Sequence, residues 1–234
     1  MIVELWGRGS GSPLVESVWS ARSEGGGHMT SLAVCSTELV FTRQGGELSV
    51  MLRGPETWAT TAPVPHDAQF FGVTLGLGVH LPGLPPTRLR DRHAPLAASG
   101  RHLWLGDRAL PLPGPDDAEA FVERLERLGL LRREPQVQVL LQGERPADPA
   151  SLRRAQRRFL EATGLSLRAT RTIERARLAL ERLQAGHAVA DVVHELGYTD
   201  QAHLTRLLRR LMGRTPARTR DVDWHHAPLG GVAR

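Results

Sequence analysis

The sequence contains no lysine, and all thirty of its basic residues are arginine. This composition is typical of GC-rich coding. Arginine content alone therefore does not indicate a nucleic-acid partner, and the distribution of the charge along the chain has to be examined.

Cysteine is almost absent, since Cys35 is the only one in the sequence. A single cysteine excludes an internal disulfide and any zinc site built from several cysteines. We predict that Cys35 lies on a strand. There it is either a small buried hydrophobe or a thiol that senses oxidants or alkylators.

The sequence also lacks an apolar run of the eighteen residues that suggest a membrane-spanning helix. The first ten residues, MIVELWGRGS, lack the basic start and the cleavage site of a signal peptide. We therefore expect a soluble, cytoplasmic protein without a membrane partner.

Motifs that would indicate an enzyme are missing as well. There is no glycine-rich phosphate loop, no GxSxG turn and no paired-carboxylate site. His194 and Glu195 are adjacent, but the second histidine of an HExxH zinc helix does not follow. The sequence predicts no catalytic residue, no metal site and no cofactor, and hence a protein that is not an enzyme.

The positive charge is concentrated in one part of the chain. Residues 151–220 contain fifteen arginines and six acidic residues, a net charge of +9, whereas the remainder carries −4. A confined positive field is expected where a protein competes with counterions for phosphate. A helical bundle with salt-bridged faces would explain the arginines but leaves this asymmetry unexplained.

The stretch VADVVHELGYTDQAHLTRLLRR, Val189–Arg210, predicts two helices joined by a tight turn. Gly197 supplies the turn and Asp200 caps the second helix. In that helix Leu204, Leu207, Leu208 and Leu211 share one side, and Ala202, Thr205, Arg206 and Arg209 lie on the other. The pattern is typical of a helix-turn-helix with a recognition helix. An ordinary helical hairpin with a solvated arginine face is the alternative.

The same pattern recurs forty-nine residues earlier. SLRRAQRRFLEATG, from Ser151, aligns with DQAHLTRLLRRLMG, from Asp200, and predicts Ser151 as the first cap. In this alignment, the predicted buried positions, one arginine and the closing glycines, Gly164 and Gly213, fall at the same places in both stretches. Two such units favour a tandem DNA reader.

The first 113 residues read as strands separated by glycine and proline turns, which predicts an all-β barrel or sandwich. The predicted strands are Ile2–Trp6, Leu14–Trp19, Ser31–Cys35, Glu38–Thr42, Glu47–Arg53, Gln69–Leu75 and Arg101–Leu105. The segment Pro82–Pro86 is read as a surface loop. The larger aromatic side chains either fill the core or line an apolar pocket: Trp19, Phe41, Trp58, Phe70 and Trp104.

A helix follows the strands, from Asp117 to about Leu128. Asp116 is its predicted cap, and Glu119 reaches back as in a capping box. The overall prediction is an α+β protein with four parts: a β-rich sensing or dimerisation domain over residues 1–115, a linker helix over 116–134, a DNA-binding domain over 135–221 and a flexible tail over 222–234.

The helical third resembles the DNA-binding domain of AraC/XylS-type transcriptional regulators. The resemblance lies in ELGYTDQAHLTRLLRRLMGRTPA (Glu195–Ala217), RRAQRRFLEATGLS (Arg153–Ser166) and the joining helix IERARLALERLQAG (Ile173–Gly186). It implies base or phosphate contacts by Arg153, Gln156 and Arg157 in the first unit and by Gln201, Ala202 and Arg206 in the second. We add His203 as a further candidate for contact with phosphate or a base.

Three features depart from the family pattern. The first scaffold helix has only Val137–Leu141 as an apolar run, with two prolines behind it, so we expect it to be short or irregular. Val193 stands where a small residue is usual, four positions before the turn glycine. Ala202 has no hydrogen-bonding group and can read only a thymine methyl group.

The sequence thus predicts a sequence-specific regulator that reads two successive major-groove segments of double-stranded DNA. In a subset of these regulators, a β-rich domain ahead of the helical one senses a small molecule, mediates dimerisation, or both. A small-molecule effector, a homodimer and contact with RNA polymerase are the further partners that the resemblance suggests. Two alternatives stay open: a small-molecule-binding barrel or enzyme with a helical appendage, and an architectural factor without sequence preference.

Overall fold

The computed structural model describes residues 2–144 and 146–218. The predicted flexible tail, residues 222–234, lies outside this range. The strands are β1 Ile2–Gly9, β2 Val15–Ser23, β3 Gly27–Ser31, β4 Glu38–Gln44, β5 Glu47–Arg53, β6 Thr60–Val64, β7 Ala68–Leu75, β8 Val79–His80, β9 His93–Leu96, β10 Ala98–Ser99, β11 His102–Leu105, β12 Arg108–Pro111 and β13 Arg132–Arg133. The helices are α1 Pro86–Leu89, α2 Ala118–Arg127, α3 Gln136–Leu141, α4 Pro149–Thr163, α5 Leu167–Gln184, α6 Val189–Glu195 and α7 Gln201–Met212, followed by a 3-10 turn at Pro216–Arg218.

The α+β class is confirmed: a β-rich half precedes a helical half. The main sheet has the strand order β1-β2-β7-β4-β5-β9, and its neighbours are antiparallel. The sheet is open, with β1 and β9 at its edges, so of the two predicted arrangements, barrel or sandwich, the closed barrel does not form. Closure depends on pairing between strands far apart in the chain, which alternation within each strand does not encode.

One face of the sheet forms the main core. Leu39 lies opposite Val73 on one side and Leu52 on the other, so alternate residues of three strands meet on the same face. Helix α2 and the β11–β12 hairpin cover this face, with Phe121 and Leu103 among the buried contacts. The helix predicted after the strands therefore packs on the sheet.

The opposite face carries a buried polar cluster. Trp19 packs directly against Gly72, where a Cβ atom would come within 2.1 Å of the indole ring. Its Nε1 donates to Glu38 Oε1 at 2.6 Å, and Thr74 and Arg53 also donate to that carboxylate. Glu38 is only 6% exposed, so these donors offset the loss of hydration of its charge.

Several local predictions need correction. Ser31 is the last residue of β3, and Cys35 lies in a bend, so Ser31–Cys35 is not a strand. The strand β6, TTAPV, was missed because its proline argues against a strand. The loop at Pro82–Pro86 leads directly into the short helix α1.

The predicted capping of α2 was also wrong. Asp117, rather than Asp116, precedes the helix, and its carboxylate accepts from Gly114 N instead of capping the helix. Glu119 does not reach back. It pairs with Arg8 of β1, whose Nη2 donates to Oε2 at 2.8 Å.

The two halves share a core. Ala33 and Cys35, from the loop after β3, are buried among side chains of α5, α6 and α7. The same half of the chain completes the end of α7, because Ala33 N donates to Leu211 O at 2.8 Å and Ala59 N donates to Arg210 O at 2.9 Å. These donors satisfy two of the carbonyl groups that a helix leaves unpaired at its C-terminus. The helical half is therefore built against the β-rich half.

Candidate nucleic-acid interface

The first helical unit consists of α3 and α4. Helix α3 has six residues, which confirms the expected short first helix. Helix α4 begins after Asp148, whose carboxylate accepts from Ala150 N and Ser151 N, so Asp148 is the cap and the prediction of Ser151 was wrong. A hydrogen bond with the Ser151 side chain and the N–H groups of Ser151 and Ala150 lower the pKa of Asp148. The helix ends at Gly164, with φ +72°, as predicted.

The predicted contact residues of this unit lie on the exposed side of α4. Ala155 and Phe159 are buried against Val137 and Leu140 of α3. Arg153, Gln156 and Arg157 alternate with those positions and are all exposed. Arg157 has a long contact of 3.7 Å with Glu161, and both side chains are well exposed, so this pair leaves the guanidinium available.

The second unit, α6 and α7, follows the prediction closely. Gly197 turns the chain with φ +65°, Asp200 Oδ1 accepts from His203 N at 2.6 Å, and α7 ends at Gly213 with φ +64°. Leu204, Leu208 and Leu211 are buried. Val192 is the buried residue of α6, and Val193 is partly buried in the same core.

On the other side of α7, Gln201, Ala202 and Arg206 are exposed. His203 is only partly exposed, and its ring meets the edge of Tyr198 with the ring centroids 5.6 Å apart. Tyr198, in the turn between α6 and α7, thus supports the first turn of α7 through an aromatic contact.

Helix α5 joins the two units. It starts at Leu167 with Ser166 as cap, six residues earlier than the predicted joining helix at Ile173. Ile173, Ala176 and Leu180 form the buried side, packed against α7. Arg177 leaves this helix on the side of the β-rich half and pairs with Glu16 at 3.3 Å, and with Glu174 and Glu181 of its own helix.

Sequence reasoning missed a second set of arginines on α5. Arg168, Arg171 and Arg175 line an open cleft of about 570 Å³ together with Gln156 of α4. Their spacing of three and four residues in LRATRTIERAR places them on one side of the helix, and this periodicity was the available signal.

The predicted aromatic pocket is present only in part. An open cleft of about 710 Å³ at one end of the main sheet is lined by Phe41 and Phe71, together with Trp6, Arg22 and Arg43. Phe70 also borders the cleft, but its place in the strand register puts it on the face of Trp19. Trp19 packs on the opposite face, over Gly72, and Trp58 and Trp104 do not line this cleft. Alternation along β2 and β4 separates these faces, and the aromatic content alone does not reveal it.

Cys35 is a buried thiol at the junction of the two halves. Its exposed fraction is 4%, and its Sγ lies 3.7 Å from Thr170 O of α5. Burial, reinforced by the Glu174 carboxylate, raises the pKa of Cys35 well above its ordinary value. A protonated, inaccessible thiol is a poor nucleophile, which favours the interpretation of Cys35 as a small buried side chain.

Among the described helices, none combines the length and apolar character that crossing a bilayer would require. Neither the curated proteins nor the solved structures gave a match to this chain. Residues 149–221 match the family model of a helix-turn-helix domain. The match begins at the first residue of α4, includes α5, α6 and α7, and leaves α3 outside. Residues 149–221 are thus a helix-turn-helix domain of the AraC/XylS type, and this domain supports a role for the protein in DNA binding and transcription regulation.

Proposed function

We propose that the protein reads two successive major-groove segments on one side of a DNA duplex, one with α4 and one with α7. The observation that supports this best is that α4 and α7 have the same design. Each ends in a left-handed glycine, each packs an apolar side inward, and each exposes arginine and glutamine on the other side. Such helices insert into major grooves about one turn apart when their units are held on the same side of the duplex.

The proposed contacts follow from side-chain chemistry. Arg153, Arg157 and Arg206 can donate two hydrogen bonds to guanine O6 and N7, and Gln156 and Gln201 can pair with adenine N6 and N7. Ala202 offers only apolar contact with a thymine methyl group. For His203, whose ring packs against that of Tyr198, we propose contact with phosphate or with a base.

The test compares Arg206→Ala with the wild type on a duplex from the region upstream of the gene and on a scrambled duplex, by fluorescence anisotropy. We expect about a tenfold to hundredfold loss on the upstream duplex and little change on the scrambled one, since a bidentate base contact contributes roughly 1–3 kcal/mol of discrimination. Arg124→Ala removes an exposed arginine from α2 and is the matched control. Equal losses on both duplexes would make Arg206 a phosphate contact. Equal wild-type affinity for both would contradict sequence-specific reading and favour an architectural factor.

We further propose that a small molecule bound in the sheet cleft modulates DNA binding. The cleft volume, about 710 Å³, is in the range of small-molecule sites, and its lining combines aromatic rings with a few polar groups. It lies on the same face of the sheet as the main core, next to Phe41 and Phe71, which stack with their centroids 5.3 Å apart.

A thermal-shift screen of a metabolite-sized compound library tests the effector hypothesis. Leu48 lines the cleft, and Leu48→Trp would fill part of it. We expect an effector to raise the melting temperature of the wild type, to leave the filled variant unchanged and to alter affinity for the upstream duplex. Compounds that stabilise both proteins equally would place binding elsewhere and contradict this part of the proposal.

A further inference from the structure

The arginines on the open side of α5 form a cationic row between the two recognition helices. Arg168, Arg171 and Arg175 are spaced by three and four residues, so their side chains project from one side over two helical turns. With Thr172 and Leu167 they form one wall of the cleft of about 570 Å³, and Gln156 of α4 belongs to the opposite wall. We call this set of three the α5 arginine row.

The row is not neutralised within the described part of the chain. Arg177, on the other side of the same helix, lies within 4 Å of three carboxylates, whereas none of the ion pairs in the described residues involves the row. Arg171 uses one of its five N–H groups, donating from Nη2 to Leu140 O at 2.9 Å. Three guanidinium groups on one side of a helix repel one another, and an anion in the cleft would relieve that repulsion.

The far end of the row reaches the second unit. The Arg175 guanidinium lies 4.7 Å from the centroid of the Tyr198 ring, and its Nε is buried without a hydrogen-bond partner. Tyr198 in turn meets His203 at the start of α7. The cleft and these contacts therefore connect Gln156 on α4, through the α5 arginine row and the buried Tyr198 ring, to the start of α7.

We infer that the α5 arginine row binds phosphates of the DNA backbone between the two major-groove segments. This inference rests on the proposed function, because it assumes that α4 and α7 face the same side of one duplex. Between two such segments, the duplex presents its sugar–phosphate backbone to the element that joins the recognition helices, which here is α5. Guanidinium groups bind phosphate through parallel N–H donors, and such contacts position the protein without reading sequence.

Arg168→Gln tests the inference, because Arg168 is exposed and makes no described contact that folding requires. Removing one phosphate contact lowers the slope of log K against log salt by about 0.9 on duplex DNA. We expect that decrease on both the upstream and the scrambled duplex, with the ratio of the two affinities unchanged. The double variant Arg168→Gln, Arg175→Gln should lose about twice as much slope, and its helical content by circular dichroism checks that the fold is retained.

Arg127→Gln, an equal change of charge at an exposed position of α2, is the matched control and should keep the wild-type slope. An Arg168→Gln slope equal to that of the wild type on both duplexes would overturn the inference. Equal wild-type affinity for the two duplexes would instead contradict the proposed sequence-specific function, so the two failures are distinguishable.

Position along the DNA is tested with a neutral methylphosphonate at the centre of the footprint on the upstream duplex. If Arg168 contacts that phosphate, the substitution should weaken the wild type but leave Arg168→Gln unchanged, since the contact is already lost. If the loss of affinity from the methylphosphonate and the loss from Arg168→Gln simply add, the row lies against another part of the duplex. That result would overturn the assignment to the central backbone.

Discussion

At the scale of single residues, the ion pair between Arg8 and Glu119 fastens β1 to α2. The Arg8 hydrogen bonds lower the pKa of Glu119 to about 2, against an ordinary value of 4.5. Because the folded-state pKa is the lower one, the pair stabilises the fold fully above about pH 5, and this contribution disappears as the pH falls toward 2. Both side chains are partly exposed, so solvent screening limits the effect.

We therefore expect Glu119→Gln to lower the free energy of unfolding by about 0.5–1 kcal/mol at pH 7. The difference from the wild type should shrink between pH 5 and pH 3 in urea unfolding followed by circular dichroism. Glu123→Gln removes an exposed carboxylate from the same helix and should have little effect at either pH. A difference that stays constant over this range would contradict an electrostatic origin.

Cys35 makes a second prediction at this scale. Because the thiol is buried and its pKa is raised, we expect it to react with a disulfide reagent such as DTNB at least about a hundredfold more slowly in the native protein than in guanidinium chloride. The unfolded chain in the same assay supplies the reference rate for an accessible cysteine. Rapid native labelling would show that the junction between the halves opens readily, and it would revive the sensing hypothesis.

At the scale of the element, the end of α7 depends on Gly213. Its φ of +64° disfavours other residues, and an added Cβ would lie 2.8 Å from Thr30 Cγ2 and 3.2 Å from Ala59 Cβ. Gly197 has nearly the same φ, +65°, with no atom within 4 Å of an added Cβ. Comparing alanine substitutions at the two positions therefore separates the cost of backbone strain from the cost of packing against the β-rich half.

We expect Gly197→Ala to cost about 1 kcal/mol, from the left-handed backbone alone. Gly213→Ala should cost roughly 1–3 kcal/mol more, because the methyl group also overpacks the contact with Thr30 and Ala59. Guanidinium chloride unfolding of the two variants measures the difference. Equal costs would mean that the end of α7 moves freely away from the sheet.

The elements that sequence predicted well are those specified by neighbouring residues. Asp200, Gly197 and Gly213 act within one turn of α6 and α7, so their spacing identifies the second unit and the exposed side of α7. Asp148 was passed over in favour of Ser151 because both can cap a helix and only the backbone decides between them.

What sequence could not supply depends on distant partners. The openness of the sheet, the β3–β6 pairing and the partner of Glu119 involve residues tens of positions apart. The α5 arginine row was missed for a related reason, because its significance appears only when Gln156 and Tyr198 lie at its two ends.

At the scale of the whole molecule, the shared core argues against two independent domains. Ala33 and Cys35 are buried among helices of the other half, and Arg177 of α5 pairs with Glu16 of β2. We expect a single cooperative transition in calorimetry of the full chain, because neither half can unfold without exposing apolar surface of the other.

A fragment starting at residue 135 tests the same point. It lacks the N–H donors of Ala33 and Ala59, and it lacks the buried side chains of the loop after β3. Its helical signal should therefore melt at a lower temperature than that of the full chain. Two resolved transitions in the full chain, one of them coinciding with the melting of the fragment, would instead establish separate domains.

The hydrogen bonds from Ala33 and Ala59 to the last carbonyls of α7 also bear on how this protein could be recombined with others. A gene fusion that joins residues 149–218 to a foreign sensor would transplant the DNA-reading helices without the backbone that completes one of them. A working chimera would have to carry both Ala33, from the loop after β3, and Ala59, from the segment before β6, along with the helices, or replace these two donors. The structural unit that carries the DNA-binding helices therefore includes residues from both halves of the chain, and no single cut in the sequence isolates it.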